Sequence, residues 1–253
     1  MKKLLIILAL ALLLPASAFA ASNAYILGGG SAPAAASDAC GSLTPTYDIC
    51  YTGDYAADTD KMCLDNGNSS VDGACTGTCS FSTDYVAVSD ANGYASWTTS
   101  EISESLGCIF FDLYIVDGGA AGIDDASLIE ITDTTSMRIN IFILGSTDKI
   151  YGKNVVTTRS ADGDAGTVSA ATSYRVGYKW ETGADAGGKH AISLVAKGNA
   201  TSWQEDVEDI DDGGGNPTKI EVGEHYSSFN SSDTARVSDI YVFGSYACTD
   251  PNP

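Results

Sequence analysis

The sequence predicts an all-β chain folded as an antiparallel two-sheet β-sandwich, a jelly roll. Residues 173–180 alternate strictly between apolar side chains and polar or small ones, which is the period of a strand with one buried face. Alternating or short apolar runs recur at residues 190–196, 219–223 and 235–243. Gly-rich turns and long polar segments separate these runs, and no helical period lies between them. Strands joined in this way are typical of antiparallel sandwiches.

Candidate strands also precede this stretch. Residues 108–116 are apolar on both faces, as expected of a strand in the middle of a sheet. Residues 137–144 place three isoleucines on one face, with Arg138 and Asn140 on the other. A single helical turn is predicted near residues 99–106. Shorter candidate strands lie at residues 48–51, 61–64, 85–88, 127–132, 150–151 and 155–157.

Four segments in the second half of the chain carry a resemblance to a known family. The pattern Tyr-x-Val-x-Tyr-Lys begins at Tyr174, and Val-x-Asp-Ile-Tyr-Val begins at Val237. Between them lie an apolar strand at residues 191–195 and a short strand at residues 220–224. Their order resembles the second half of concanavalin A-like lectin and glucanase domains, most nearly the laminin G-like modules of secreted bacterial and phage proteins. The resemblance covers the chain from Trp97 onward.

This resemblance implies one concanavalin A-like/laminin G-like sandwich over residues 39–253. The cysteine-rich N-terminal part, residues 39–88, is then folded into the same domain; a small separate module is the alternative. The first and last strands of such sandwiches usually neighbour each other. The resemblance therefore implies a disulfide between Cys248 and the N-terminal region.

The N-terminus has the features of a secretory signal peptide at residues 1–20. Two lysines precede an apolar run at residues 4–14, and Ala18-Phe19-Ala20 forms a small-x-small cleavage site. The apolar run is too short to span a bilayer, so we expect a secreted or cell-surface protein. Residues 21–38 are rich in Gly, Ala and Ser and predict a flexible leader. A donor strand at residues 24–27 is the alternative.

The chain is strongly acidic, which narrows its partners. It has 13 Lys and Arg against 33 Asp and Glu, a formal net charge of −20. Nucleic acid and anionic membrane surfaces would be repelled, so neither is expected as a partner, and no segment after the signal peptide predicts membrane insertion. Divalent cations, neutral sugars and cationic surfaces remain open. The simpler interpretation is that acidity keeps a secreted protein soluble.

The cysteines predict disulfides that cross-link a loop-rich region of an exported protein. Zinc binding at Cys75 and Cys79 is the alternative, but the spacing is one residue longer than in the commonest zinc knuckle and no His lies nearby. Because their number is odd, one thiol stays free or pairs between chains. The seven disulfide candidates are Cys40, Cys50, Cys63, Cys75, Cys79, Cys108 and Cys248.

The resemblance implies a glycan ligand, held on the concave sheet face or by loops at one rim. Polar and aromatic residues that face away from the core are therefore the candidates for ligand binding. Cations among them could neutralise a uronic-acid carboxylate; a solvated outer face is the alternative. Trp203 lies beside an acidic loop and could stack on a sugar ring, whereas Trp180 is predicted to pack in the core. The ligand-binding candidates are Trp203, Arg138, Asn140, Arg175 and Lys179.

An acidic segment suggests calcium but does not supply a catalytic motif. In residues 209–216, oxygen ligands at alternate positions are followed by glycines. This pattern resembles the start of a calcium loop but lacks the distant Glu of an EF-hand. The glucanase pattern Glu-x-Asp-x-Glu is absent because apolar residues interrupt both alternating sets in residues 205–212, which we place in a loop. No catalytic residue is assigned. The candidate calcium ligands are Asp209, Asp211, Asp212 and Asn216.

Together these observations predict an exported, non-catalytic glycan-binding or surface-interaction module, with calcium as its candidate cofactor. A polysaccharide-degrading enzyme, lyase or glycosidase, that uses the concave face is the first alternative. A structural subunit of an extracellular assembly is the second. The sequence does not determine the oligomeric state or the ligand.

Overall fold

The computed structural model describes the chain in segments that start at Asp48. The described residues are 48–51, 60–64, 69–77, 79–82, 85–89, 93–99, 102, 106–116, 126–132, 137–144, 148–154, 160–161, 167–181, 188–208, 218–223 and 234–251. All of them belong to one compact unit, Ala36–Pro253. The predicted signal peptide, leader and donor strand lie outside the described residues.

The described residues form seventeen β-strands. In chain order they are β1 Ile49–Tyr51, β2 Lys61–Leu64, β3 Ser69–Asp72, β4 Ala74–Thr76, β5 Cys79–Phe81, β6 Val86–Ser89, β7 Tyr94–Thr98, β8 Leu106–Ile115, β9 Ala126–Thr132, β10 Met137–Leu144, β11 Lys149–Asn154, β12 Ser160–Ala161, β13 Thr172–Glu181, β14 Gly188–Ala196, β15 Gln204–Glu208, β16 Lys219–Gly223 and β17 Thr234–Phe243.

The described strands build two antiparallel sheets. The ten-stranded sheet has the order β15-β14-β13-β8-β17-β1-β2-β3, with β6 also paired to β17 and β5 to β6. The seven-stranded sheet has the order β12-β11-β10-β9-β16-β7-β4. The predicted all-β sandwich of the jelly-roll class is confirmed. The helical turn predicted at residues 99–106 lies mostly outside the described residues. No helix in the described part of the chain is long and apolar enough to cross a membrane.

The core lies between the two sheets and follows from strand alternation. The apolar residues of β13 face inward, as predicted, and Trp180 is fully buried. The three isoleucines of β10 face them from the seven-stranded sheet. Gly152 on β11 leaves room for the ring of Tyr178, since a Cβ there would lie 2.2 Å from that ring. Close packing of this kind fixes the register of both strands.

Most of the described cysteine-rich segment shares the ten-stranded sheet with β17, whereas β4 belongs to the seven-stranded sheet. Strand β1 pairs with both β17 and β2, so the first and last described strands are neighbours. This neighbourhood is the arrangement that the resemblance implies. The short strands β3, β4, β5, β7 and β12 were not predicted, because runs of two to five residues rich in Ser, Ala and Thr carry little periodicity.

Strand β15 corrects the prediction that the acidic segment begins in a loop. Residues 204–208 pair with β14 in an antiparallel register, with His190 opposite Asp206. In the described order β15 is the outermost strand on that side of the sheet. Edge strands tolerate acidic side chains, because one side of the strand meets solvent and charge there discourages pairing with other chains. Backbone pairing with β14 therefore overrides the weak β-propensity of Glu and Asp.

Among the described residues, five of the predicted disulfide cysteines are oxidised, but one pairing differs from the prediction. Cys75 is bonded to Cys79. Cys248 is bonded to Cys108 of β8, with an S–S distance of 2.00 Å, and the bridge implied to the N-terminal region is wrong. Phe243 at the end of β17 lies directly opposite Cys108, so the chain that continues from it returns to β8 rather than to β1.

The other cysteines lie at the N-terminal side. Cys63 is also in a disulfide. Cys50 lies opposite Cys63 in the β1–β2 pair and is fully buried. Cys40 lies outside the described residues.

Candidate functional site

Polar groups concentrate on the outer face of the ten-stranded sheet, the face of β13, β8 and β17 that points away from the core. Residues opposite each other in an antiparallel pair share a face. Arg175 is opposite Asp112, Gly177 is opposite Phe110, and Lys179 is opposite Cys108. The sequence alternation of β13 therefore places both of its cations on this outer face.

Arg175 is the centre of a buried charge cluster on this face. Its side chain is 0% exposed. The guanidinium donates to the Asp250 carboxylate from Nη2 at 2.8 Å and from Nε at 3.1 Å. It also donates from Nη1 to Asp112 Oδ1 at 3.1 Å and to the backbone carbonyl of Asp239 at 2.9 Å. A forked, nearly fully satisfied guanidinium is the form in which Arg is buried at low cost.

Lys197 and Asp239 complete the charge cluster. Lys197 Nζ lies 2.5 Å from Asp112 Oδ2 and 3.7 Å from Asp239 Oδ2. Asp239 has a left-handed backbone (φ 47°) at an irregularity in the β17–β8 pairing, between Ser238 and Tyr241. Such a backbone is unusual for a non-Gly residue, although Asp tolerates it better than most. The irregularity interrupts the pairing with β8, and the Asp239 carboxyl lies within hydrogen-bond reach of Asp112.

The charge cluster shifts the pKa of several members. Burial, and then the neighbouring Asp112 carboxylate, raise the pKa of Asp239 to about 7, against the smaller opposing effect of Lys197 and Arg175. Burial alone would lower the pKa of Arg175, but the hydrogen bond to Asp250 and the charge of Asp112 outweigh it and raise the pKa. Burial also lowers the pKa of Lys197, but the combined effect of Asp112 and Asp239 is larger and raises it.

The raised pKa of Asp239 predicts a stability that falls as the pH rises. Between the ordinary value of 3.8 and about 7, the folded protein keeps a proton that the unfolded chain has lost. The free energy of unfolding therefore decreases through this window and levels off above it. We expect Asp239→Asn to remove about 2 kcal/mol of this decrease. Urea unfolding at about pH 4.5 and about pH 8 measures it.

The control for this experiment is Asp72→Asn, on the exposed edge of β3. This substitution removes the same charge far from the charge cluster and should leave the pH dependence unchanged. An Asp239→Asn protein with the wild-type pH dependence would contradict the prediction.

Trp203 forms an aromatic surface beside the charge cluster. Its ring lies over Gly177, where a Cβ would approach it to 2.8 Å, and its centre is 5.6 Å from that of Phe110. Lys179 Nζ lies 4.8 Å from the Trp203 ring centre and 4.4 Å from that of Tyr246. Trp203 and Tyr246 are half-buried. We call Trp203, Lys179 and Tyr246 the aromatic platform.

The C-terminal residues 244–251, named here the C-terminal strap, cross the outer face. The strap contributes Tyr246 to the aromatic platform, Cys248 to the disulfide with Cys108, and Asp250 to the charge cluster. It follows β17 directly but belongs to no strand. The strap thus covers the sheet positions occupied by Arg175 and Lys179.

The five predicted ligand-binding residues divide between the two sheets. Trp203, Arg175 and Lys179 meet on the outer face of the ten-stranded sheet. Arg175 is buried there, although its position in the sequence pattern predicts a solvent-facing cation. Asn140 lies on the outer face of the seven-stranded sheet, where it is buried and donates from Nδ2 to Ser127 Oγ at 2.9 Å. The backbone of Arg138 belongs to β10, and its side chain lies outside the described part.

The sequence pattern did not identify the acidic members of the charge cluster. Asp112 and Asp239 were not selected, yet a single charge inside the apolar run of β8 was a usable signal for Asp112. On the seven-stranded sheet, Glu130 and Glu221 lie directly opposite each other on β9 and β16, and both are 2% exposed. Such pairings depend on which strands become neighbours, and one sequence does not show this.

The candidate calcium ligands Asp209, Asp211, Asp212 and Asn216 lie outside the described residues. Within the described segments, no group of three or more Asp, Glu, His or Cys side chains is arranged to hold a metal ion. In the charge cluster the three aspartates instead face the cations of Arg175 and Lys197.

Comparisons with known proteins place the fold among β-sandwich domains. The botulinum neurotoxin type G receptor binding domain superposes with a TM-score of 0.56 at 9% identity, over 81% of this chain and 49% of that chain. An endo-β-1,4-glucuronan lyase from the fungus Trichoderma reesei gives a TM-score of 0.52 at 12% identity, over 81% of this chain and 99% of that chain. A Trypanosoma rangeli sialidase in complex with sialic acid gives 0.53 at 10% identity, over 83% and 32%.

The chain spans about half the length of the neurotoxin structures that it matches. No protein-family model and no curated protein matches the sequence. At these identities the similarity shows the β-sandwich fold.

Proposed function

We propose that this protein is an exported, non-catalytic glycan-binding module of concanavalin A-like type, and that its ligand binds at the aromatic platform. The half-buried Trp203 carries the proposal. An aromatic ring that packs against a sheet and stays partly exposed offers the apolar surface on which the C–H groups of a sugar ring stack. The neighbouring Lys179 is buried, and its Nζ lies 4.8 Å from the Trp203 ring centre, so it adds positive charge beside this surface.

Three further observations support this proposal. Two of the structural neighbours are a receptor binding domain and a sialidase in complex with sialic acid, which this chain matches over 49% and 32% of their lengths. Disulfides such as Cys108–Cys248 are typical of exported proteins. The buried carboxylates of Asp112 and Asp250, in the neighbouring charge cluster, are engaged in ion pairs with Arg175.

A glycan array probed with the full chain, followed by mass analysis of the eluted glycans, tests the proposal. We expect intact glycans to be retained, and we expect Trp203→Ala to weaken their binding about tenfold, or about 1.4 kcal/mol. Tyr85→Ala is the matched control, because Tyr85 is a half-buried aromatic that stacks on Arg236 elsewhere. Absence of any bound glycan would favour a structural subunit of an extracellular assembly.

We also propose calcium as a structural cofactor, bound by Asp209, Asp211, Asp212 and Asn216. The array should then be run with added calcium and with chelator. Glycan binding that is lost in chelator supports this ligand set, and binding that is equal in both contradicts it.

A polysaccharide-degrading enzyme is the second candidate, favoured by the adjacent carboxyls of Asp112 and Asp239. A carboxyl group whose pKa lies near 7 suits general acid catalysis. The endo-β-1,4-glucuronan lyase among the structural neighbours shows that the sandwich can carry such chemistry. Shortened or unsaturated products in the eluate, lost in Asp239→Asn, would support this candidate over the binding module.

A further inference from the structure

The C-terminal strap is attached to the sheet through separate side-chain contacts. The Cys108–Cys248 disulfide, the Arg175–Asp250 ion pair and the two lysines around Tyr246 hold it. Among the described residues, its backbone–backbone hydrogen bond runs within the strap, from Cys248 N to the Tyr246 carbonyl at 3.2 Å. Part of the strap can therefore leave the sheet without breaking strand pairing.

The strap places a carboxylate on a guanidinium that is already positioned by the sheet. Arg175 is held by Asp112 and by the Asp239 carbonyl, both of which belong to sheet strands, and these contacts remain if the strap leaves. The fork formed by Nε and Nη2 then faces outward, and a fork of this geometry binds carboxylates in a bidentate manner. Asp250 fills this fork from the strap.

Aromatic rings line the same position. The Arg175 guanidinium carbon lies 5.7 Å from the ring centres of both Phe110 and Tyr241, and Trp203 packs on Phe110. An arginine fork between aromatic surfaces matches a sugar ring that carries a carboxylate. The sugar ring would stack on Trp203, which is half-buried, and the carboxylate would pair with the guanidinium.

We infer that the Arg175 fork is a subsite for a carboxylate-bearing sugar, and that the C-terminal strap is its built-in competitor, with Asp250 in the position of the sugar carboxylate. This inference rests on the proposed glycan binding at the neighbouring aromatic platform. The disulfide keeps the strap close to the fork, so the Asp250 carboxylate competes at a high effective concentration. An acidic glycan binds when it displaces the end of the strap, whereas a neutral glycan has no group for the fork.

Affinity measurements on strap variants test the inference. The probes are tetraglucuronate with cellotetraose as its neutral counterpart, and sialyllactose with lactose. We expect Asp250→Asn to bind one of the acidic probes at least about tenfold more tightly than the wild type, because no carboxylate of the strap then occupies the Arg175 fork. Neutral probes should show no change. Tetraglucuronate against sialyllactose distinguishes a uronate from a sialate ligand.

Asp72→Asn is the control for charge. It removes one negative charge from the exposed edge strand β3 and should change no affinity by more than about twofold. Equal binding of the acidic probes by wild type, Asp250→Asn and Asp72→Asn would overturn the inference. Weaker binding by a folded Asp250→Asn would overturn it as well.

Hydrogen exchange on the wild-type protein tests the strap without a substitution. A saturating acidic probe should speed exchange of the Cys248 amide, which donates to the Tyr246 carbonyl, and of the Asp250 amide, which belongs to a buried residue, while the amides of β13 stay protected. Unchanged or slower exchange at these residues would contradict the inference. If only neutral glycans bind, the proposed function stands and the inference fails. If no probe binds wild type or Asp250→Asn, both fail.

Discussion

Arg175→Ala is expected to cost about 3–5 kcal/mol of the free energy of unfolding. The substitution removes the cation between the buried Asp112 and Asp250 carboxylates, which have exposed fractions of 7% and 3%, and leaves Asp112 with its ion pair to Lys197. Their repulsion and desolvation then oppose folding, since an unpaired buried charge costs far more than an intact buried pair contributes. Urea denaturation near neutral pH, followed by circular dichroism, measures the loss.

Two further proteins separate the charge effect from lost packing. Arg175→Met combined with Asp112→Asn and Asp250→Asn removes the cation and both carboxylates and should recover a large part of the stability. Lys189→Ala removes a cation whose pair with Glu181 is exposed (41% for each side chain) and should cost less than about 1 kcal/mol. Arg175→Ala with a loss as small as that of Lys189→Ala would show that the cluster contributes little to stability.

Removal of the Cys108–Cys248 disulfide is expected to destabilise the fold by about 5 kcal/mol in the chain-entropy description. The two cysteines are 140 residues apart in sequence, so the bridge restricts most of the described domain in the unfolded state. It also holds the C-terminal strap against β8. The double variant Cys108→Ser with Cys248→Ser, unfolded in urea under oxidising conditions, provides the measurement.

The Cys75–Cys79 bridge is the matched control, because its cysteines are only 4 residues apart. The same description gives a loss smaller by about 3 kcal/mol for the double Ser variant of this short loop. Similar losses for the two double variants would show that loop length does not decide their contributions.

The two proposals on the outer face depend on different residues, so their experiments give separate answers. Trp203 reports on glycan stacking at the aromatic platform, and Asp250 reports on competition for the Arg175 fork. A Trp203→Ala protein that loses all glycan binding while Asp250→Asn gains none would place the ligand on the platform alone. A gain in Asp250→Asn that disappears when Trp203→Ala is added would join the two surfaces into one site.

The sequence by itself determined the architecture of this protein. Alternation in residues 173–180 and 137–144 predicted which faces of β13 and β10 enter the core, because period-two patterning is a local property of each strand. The oxidised state of Cys75 and Cys108 was predicted from the cysteine content of a chain that is expected to be exported. Strands with weak periodicity, such as β15, were not predicted. They form because a neighbouring strand pairs with their backbone.

The tertiary structure decided which outward-facing groups meet. Arg175 is 63 residues from Asp112 and 75 residues from Asp250, and only the order of β13, β8 and β17 with the returning strap brings them together. The same order made Cys108 the partner of Cys248 and left Asn140 on the other sheet. Strand order is a property of non-local pairing, and a single sequence constrains it weakly because each strand can pair with several others. Alternation therefore identified Arg175 and Lys179 as outward-facing, but only the fold showed that Arg175 is buried under the strap.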